Sequence, residues 1–335
     1  MHKLIFETER LYVRRFTIED EENFHNLNLD QEVMHYIRQL KNKDESRHFL
    51  EENIQSYETS PMTGRWAVHE KGSNRFVGMF AIIPMDNSNY WQLGYALQKE
   101  DWGRGFATEL TKTGISYSFR RMYLPKIMAV TDVYNVNSQK VLLKSGFEQL
   151  PNVIEHGKES CLFEIRNKAV IETKRLLIAA LDWELLNLYI ETDQRLENEI
   201  GLKPGNRKIS DDLRGMLETQ TLPAMRNATE NDYYFHTIWI VIDKVRNMLV
   251  AEMGFQGLPD SNGEVEIGYG TQPGFEGEGI MTEAISGMLS WTGKYQGIKS
   301  VIARTESSNP GSIKVLEKNG FKLISREGEI LVWGI

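Results

Sequence analysis

At 335 residues the chain is longer than one hydrophobic core usually spans, so two domains are expected. A formal net charge of -8 argues against nucleic acid as a general partner, and the single cysteine, Cys161, excludes a disulfide framework and a cysteine-rich metal site; no metal is expected. No apolar run is long enough to cross a bilayer and the N-terminus turns acidic too soon for a signal peptide, so a cytoplasmic protein without a membrane partner is expected.

Residues 10–16 alternate as a strand, and Thr17-Ile18-Glu19-Asp20 is a capping-box start for a helix to about residue 28. Residues 44–57 place Phe49, Leu50, Ile54 and Tyr57 on one side of a second helix. Both helices would wall a substrate side. Residues 66–68 and 76–83 flank the turn Lys71-Gly72-Ser73-Asn74 and read as a hairpin. The strand at 90–97 then runs through a polar turn into Gly103-Arg104-Gly105-Phe106-Ala107 and a helix to about residue 121. Strand, glycine loop and helix together leave backbone N–H groups free at a helix N-terminus, which suits a pyrophosphate. A phosphate-bearing cofactor is therefore expected. A strand at 126–130 follows that helix, and the crossover implies parallel pairing within a mixed α/β sheet. A short helix at 138–144 stops at Gly146, and residues 160–165 close the sheet antiparallel. The connection at 167–173 divides the chain into domains at 1–166 and 170–335.

The arrangement occurs twice. Gly94-Tyr95 recurs as Gly268-Tyr269, Gly103-Arg104-Gly105 as Gly277-Glu278-Gly279, Thr108-Glu109 as Thr282-Glu283, and Gly146-Phe147 as Gly320-Phe321, each 174 residues on. Glu7-Thr8-Glu9-Arg10-Leu11 recurs 165 residues on as Glu172-Thr173-Lys174-Arg175-Leu176, so the second copy gains a net nine residues, placed at 202–232 and read as a mobile loop. Its other elements are expected as a strand at 175–179, a helix capped by Asp182, strands at 234–242, 249–255 and 265–269, helices at 279–291 and 311–318, and a last strand at 330–333.

The loop spacing fits neither the P-loop nor the dinucleotide fingerprint. It resembles the acetyl-CoA loop of the GNAT N-acetyltransferases, R/Q-x-x-G-x-G/A, with Trp102 in the Arg/Gln place followed by Gly105 and Ala107. Asn135-Val136-Asn137-Ser138 and then Gly146-Phe147 resemble the family's second signature. The resemblance implies an α/β protein of two tandem GNAT domains, each a mixed, partly parallel β-sheet flanked by helices. It further implies transfer of an acetyl group from acetyl-CoA to a primary amine, a protein N-terminus or a small amine, by direct attack on the thioester.

By the same resemblance the cofactor would be held by Tyr95, Leu97, Gln98, Tyr269 and Gln272 on the strands before the loops. Trp102, Gly103, Arg104, Gly105, Phe106, Ala107 and Thr108 would hold it in the first loop, and Gly277, Gly279, Ile280, Met281 and Thr282 in the second. Asn135 and Asn309 would meet the pantetheine arm, and Ser138 and Ser312 would protonate the leaving thiolate or, on the plainer reading, cap their helices. Leu142 and Leu316 stand where many members carry a tyrosine acid, which points to the RimJ/RimL-like branch. Glu155 is the base candidate, with an exposed loop charge as the alternative, and His69 and His236 are candidates for proton shuttling or plain structural histidines. Glu109 and Glu283 read as structural, at the positive end of a helix. Arg104 in the first loop, against Glu276 and Glu278 in the second, predicts tighter acetyl-CoA binding by the first copy. A non-catalytic or half-active tandem acyl-CoA-binding scaffold is the competing reading, and the assembly is expected to be a monomer with pseudo-twofold tandem domains or a homodimer.

Overall fold

The computed structural model describes residues 3–86, 88–155, 157–191, 193–229 and 232–335. Contacts divide the chain into two units, 1–167 and 168–335.

The first unit holds β1 (Leu4–Glu7), β2 (Leu11–Arg15), β3 (Gly64–Glu70), β4 (Phe76–Pro84), β5 (Trp91–Leu97), β6 (Lys126–Asp132), β7 (Glu148–Gln149), β8 (Val153–Glu155) and β9 (Lys158–Arg166). They form one sheet in the order β1-β2-β3-β4-β5-β6-β9-β7, with β8 on β9. The β5–β6 pair is parallel and its register is confined to Gln92 opposite Met128, although both strands run on for several residues. β6 and β9 pair antiparallel over seven positions. The second unit repeats this with β10 (Val170–Glu172), β11 (Leu176–Ala180), β12 (Ile238–Asp243), β13 (Met248–Phe255), β14 (Glu264–Thr271), β15 (Ser300–Glu306), β16 (Lys322–Glu327) and β17 (Ile330–Gly334), ordered β10-β11-β12-β13-β14-β15-β17-β16. The parallel ladder again stops early, at Glu266 opposite Ile302, while β14 continues to Thr271. Each sheet therefore opens where its central parallel pair parts, directly before the glycine loop.

In the first unit the helix Phe106–Arg121 covers one face of the sheet, with Phe106, Leu110 and Ile115 in the core around Trp66 and Phe80. Full burial of one such side chain contributes roughly 1.5–3 kcal/mol. Gly114 lets that helix come close, because a Cβ there would meet Phe80 Cζ at 2.2 Å. The helices Glu21–Leu29 and Lys43–Thr59 cover the other face, where Phe24, Leu27 and Leu50 pack on Ala67, Met79 and Ala96. Asn42 caps the second of them by accepting the Glu45 N–H at 3.0 Å, while Glu45 accepts the Asn42 N–H at 2.8 Å.

Three strands fall outside the expected pattern. β1 and β10 have only four and three residues, too few for alternation to register, and β10 occupies the stretch read as a plain connection. Every residue of β16 is exposed, so no apolar period marks it. The expected mobile loop at 202–232 is instead helical at Asp211–Met216 and Leu222–Asn227, joined by a π-turn over Leu217–Thr221. Ser210 caps this run by accepting the Leu213 N–H at 3.2 Å, and Leu217 and Met225 anchor it; two buried residues eight apart are too sparse a period to read. Among the described residues no helix is long and apolar enough to cross a membrane.

Candidate functional site

Both glycine loops enter their helices through left-handed backbone. Gly105 has φ 82° and ψ 0°, and Gly279 has φ 75° and ψ 12°; Gly103 and Gly277 also have positive φ, at 76° and 78°. Side chains other than glycine rarely adopt these angles. Among the described residues no protein acceptor meets the N–H groups of Gly103, Arg104, Gly105, Phe106, Ala107 or Thr108, nor those of Gly277, Glu278, Gly279, Ile280, Met281 or Thr282. Such a row of unmatched donors at a helix N-terminus is complementary to an anion. Gln98 and Gln272 differ, since their N–H groups already donate to Val77 O at 2.8 Å and Val250 O at 3.0 Å.

The repeated Thr-x-Arg at the start of each copy braces its loop, a role the sequence reading left unassigned. Arg10 Nη1 donates to Arg104 O at 3.0 Å, and its Nε donates to Glu109 Oε2 at 2.7 Å; Thr8 also donates to Glu109. Arg175 repeats both contacts, to Glu278 O at 3.1 Å and to Glu283 at 2.6 Å, and Thr173 donates to Glu283 at 2.7 Å. Burial works against ionisation of Glu109 and Glu283, but these hydrogen bonds and the arginine charges hold both carboxyls below the usual range.

The loop charges are compensated locally. Arg104 donates to Asp101 at 2.7 Å, also pairs with Glu70, and lies over the Phe106 ring. Glu278 pairs with Arg246 at 2.7 Å, and Glu276 accepts the Gly274 N–H at 2.7 Å. The expectation of unequal affinity treated Arg104, Glu276 and Glu278 as bare charges; their partners remove most of that difference. Trp102 donates its indole N–H to Leu97 O at 2.9 Å and fixes the turn between strand and loop.

Ser138 and Ser312 are not caps. Asn135 caps Val136–Lys144 by accepting the Ser138 N–H at 3.1 Å, and Asn309 caps Pro310–Lys318 by accepting the Ser312 N–H at 3.0 Å. The serine hydroxyls are thereby free to face the central strand, where Ser138 Oγ lies 3.3 Å from Tyr95 Oη and Ser312 Oγ lies 2.7 Å from Tyr269 Oη. Burial raises the pKa of both tyrosines, so they stay protonated.

Glu155 ends β8, on the strand pair with β9, and its side chain lies outside the described residues. His69 is buried, with Nε2 2.8 Å from Arg14 Nη2 and its ring stacked on Tyr12. His236 closes the short turn Tyr233–Phe235 and lines a cavity of about 460 Å³.

That cavity holds the carboxylate that sequence reasoning missed. It is lined by Glu252, His236, Gln256, Ser210 and the Gly268-Tyr269-Gly270 segment, under the helical run at 211–227. Register places Glu252 opposite Gly270, and a Cβ on Gly270 would meet Glu252 Oε1 at 2.9 Å. Gln272 Nε2 donates to Glu252 Oε2 at 2.6 Å, and Gln272 Oε1 accepts the Lys208 N–H at 2.9 Å. Burial pushes the Glu252 carboxyl up to about 7, against the Gln272 hydrogen bond and the Arg207 charge, which favour its ionised form. A lone Glu on a buried strand carries no sequence signal, although Glu252 interrupts the otherwise apolar run Leu249–Phe255.

A family described as "Acetyltransferase (GNAT) domain" matches residues 10–148 and again residues 175–322. The uncharacterized N-acetyltransferase YjdG of Bacillus subtilis is 30% identical over 165 residues, which is 49% of this chain and 96% of that protein. Among solved structures, a GNAT-family acetyltransferase from Bacillus anthracis is 22% identical, covering 49% of this chain and 98% of that one at a TM-score of 0.43. RimL, a ribosomal L7/L12 alpha-N-protein acetyltransferase in complex with coenzyme A, is 15% identical, covering 49% and 98% at a TM-score of 0.43.

Proposed function

Since the chain belongs to the GNAT acetyltransferase family, twice over along its length, we propose that it uses acetyl-CoA as donor and that its second domain acetylates a primary amine with Glu252 as the base. The domains are taken as 1–166 and 170–335. The observation that carries this reading is the Glu252 carboxylate, set in the wall of a cavity and opposite Gly270, one residue from the Tyr269–Ser312 pair.

The donor supplies a thioester carbonyl. The unmatched N–H groups at Gly277–Thr282 and Gly103–Thr108 are the candidates for its pyrophosphate, and the opening beside β14 is the candidate channel for its pantetheine arm. Glu252 takes a proton from the incoming ammonium, leaving a lone pair to form the C–N bond. As the C–S bond breaks, the Tyr269–Ser312 pair would hand a proton to the departing sulfur, and the second proton that the amine nitrogen sheds on becoming an amide would return to that pair. A base with a pKa of about 7 is half-ionised near neutral pH and so matched to this task. Asn135 and Asn309 act by setting their serine helices rather than by touching the donor with their side chains. The acceptor class, a protein N-terminus or a small amine, follows the RimJ/RimL-like pattern of leucine at Leu142 and Leu316.

The test is calorimetric titration with acetyl-CoA followed by thiol release across peptides with free N-termini and small amines. Binding with turnover on one acceptor class supports the enzyme. Binding without turnover on any amine favours the scaffold reading.

A further inference from the structure

We propose that the first domain carries an oxyanion site on its acceptor side, formed by Arg38, Lys41 and Arg65 around the Phe49 ring, which takes the carboxylate or phosphate of an anionic ligand. The three cationic heads converge on one ring: Arg38 Cζ lies 4.9 Å from its centroid, Lys41 Nζ 5.1 Å and Arg65 Cζ 5.2 Å. Among the described residues none of the three has a carboxylate partner within salt-bridge distance. Among the described residues the one polar contact of the Arg38 head is Nη2 to Met79 Sδ at 4.0 Å, and its Nε is buried with no partner.

Two other guanidiniums of this domain meet carboxylates, whereas Arg15 donates to Pro61 O at 2.8 Å and lies over the Tyr57 ring. Arg14 meets Asp20 through two bonds of 2.8 and 2.7 Å, and Arg75 meets Asp101 at 2.8 and 2.6 Å. The cluster at Phe49 is set apart by holding three cationic heads at one ring, and its electrostatics register the cost. Burial, together with the Arg65 charge, pushes Arg38 down to about 10, and burial lowers Arg65 as well. Cation–π contact offsets part of this, but it satisfies no N–H donor. A planar guanidinium with open N–H donors is a fork complementary to a carboxylate or phosphate.

Position connects the cluster to the reaction rather than to a remote surface. Met79, which Arg38 touches, lies opposite Ala96, one residue beyond Tyr95. Glu252 holds the corresponding position in the second domain, opposite Gly270 and one residue beyond Tyr269. Arg38 thus touches, in the first domain, the residue whose counterpart in the second is a carboxylate. It does not depend on the catalytic reading, because anion binding is measured without turnover.

The experiment uses the full chain with CoA present in excess, so that inorganic phosphate does not report on the glycine loops. Phosphate and succinate are titrated separately against sodium chloride at matched ionic strength, reading heat and thermal stability. Saturable binding of phosphate alone assigns a phosphate site, and of succinate alone or of both a carboxylate-competent one. Either is expected to weaken by roughly tenfold or more in Arg38→Met and in Arg65→Met, while without the anion both variants unfold at the same or higher temperature than the parent. Arg38→Lys, which keeps the charge but not the fork, is expected to fall between. The proposal is overturned if neither anion binds beyond the chloride baseline, if the methionine variants bind as well as the parent, or if they lose stability in anion-free buffer.

Discussion

The two domains share one frame and differ in what they place at one point on it. In both, Thr-x-Arg braces the glycine loop, Asn caps the serine helix and a tyrosine on the central strand reaches the serine hydroxyl. Opposite the residue after that tyrosine, the first domain has Met79 under Arg38, and the second has Glu252 under the helical run at 211–227. The two copies therefore share the loop, its brace and the serine helix. Beside that shared frame a cation touches the strand in one copy and a carboxylate stands on it in the other, so a common architecture need not imply a shared ligand.

The largest expected break is at the loops. Gly105→Asp and Gly279→Asp each add a side chain to left-handed backbone and a like charge beside the pyrophosphate, so each removes one equivalent of CoA in a titration while far-UV circular dichroism is retained. A titration unchanged in either variant would dismiss that loop as a phosphate cradle.

Next comes Glu252→Gln. In a Gly105→Asp background, which isolates the second domain, kcat/KM should fall by about 100-fold or more. The pH profile sharpens this: kcat/KM of the parent should rise as pH climbs through about 7, and the variant should lose that limb. Stability has the opposite sign. The folded carboxyl binds its proton more tightly than the unfolded one, so this group's contribution is full below the ordinary value of 4.5 and is lost as pH rises toward about 7. A parent more stable at pH 7 than at pH 5, with the variant indifferent, would contradict the burial argument.

Ser312→Ala should lower kcat by about 100-fold with acetyl-CoA affinity retained, and Tyr269→Phe should act in the same direction. Because Asn309 rather than Ser312 caps the helix, the melting temperature should hardly move; a large drop with full turnover per folded molecule would make the serine structural.

The smallest effect is expected from charge reversal at the loops. Glu278→Lys breaks the pair with Arg246 and adds a cation, yet the net gain in acetyl-CoA affinity should stay below roughly tenfold and vanish at high salt. Two widely separated affinities in the parent, equalised by this change, would restore the bare-charge argument.

The duplicated frame was legible in the sequence because each of its parts depends on local chemistry. Glycines at 103, 105, 277 and 279 are needed for φ values that other residues avoid, and the helix beginning at Phe106 follows from its own period and start signal. The run from Asn135 to Ser138 was legible as a helix start, but the cap was read at Ser138 and is Asn135, three positions earlier, because either side chain can reach an N–H there. The acceptor side was decided by tertiary structure alone. Glu252 stands opposite Gly270 through a strand register, and Arg38, Lys41 and Arg65 meet at Phe49 from three separate segments of the chain. Local propensity sets backbone shape over a few residues, whereas the burial that raises Glu252 and lowers Arg38 arises only when distant segments exclude water together.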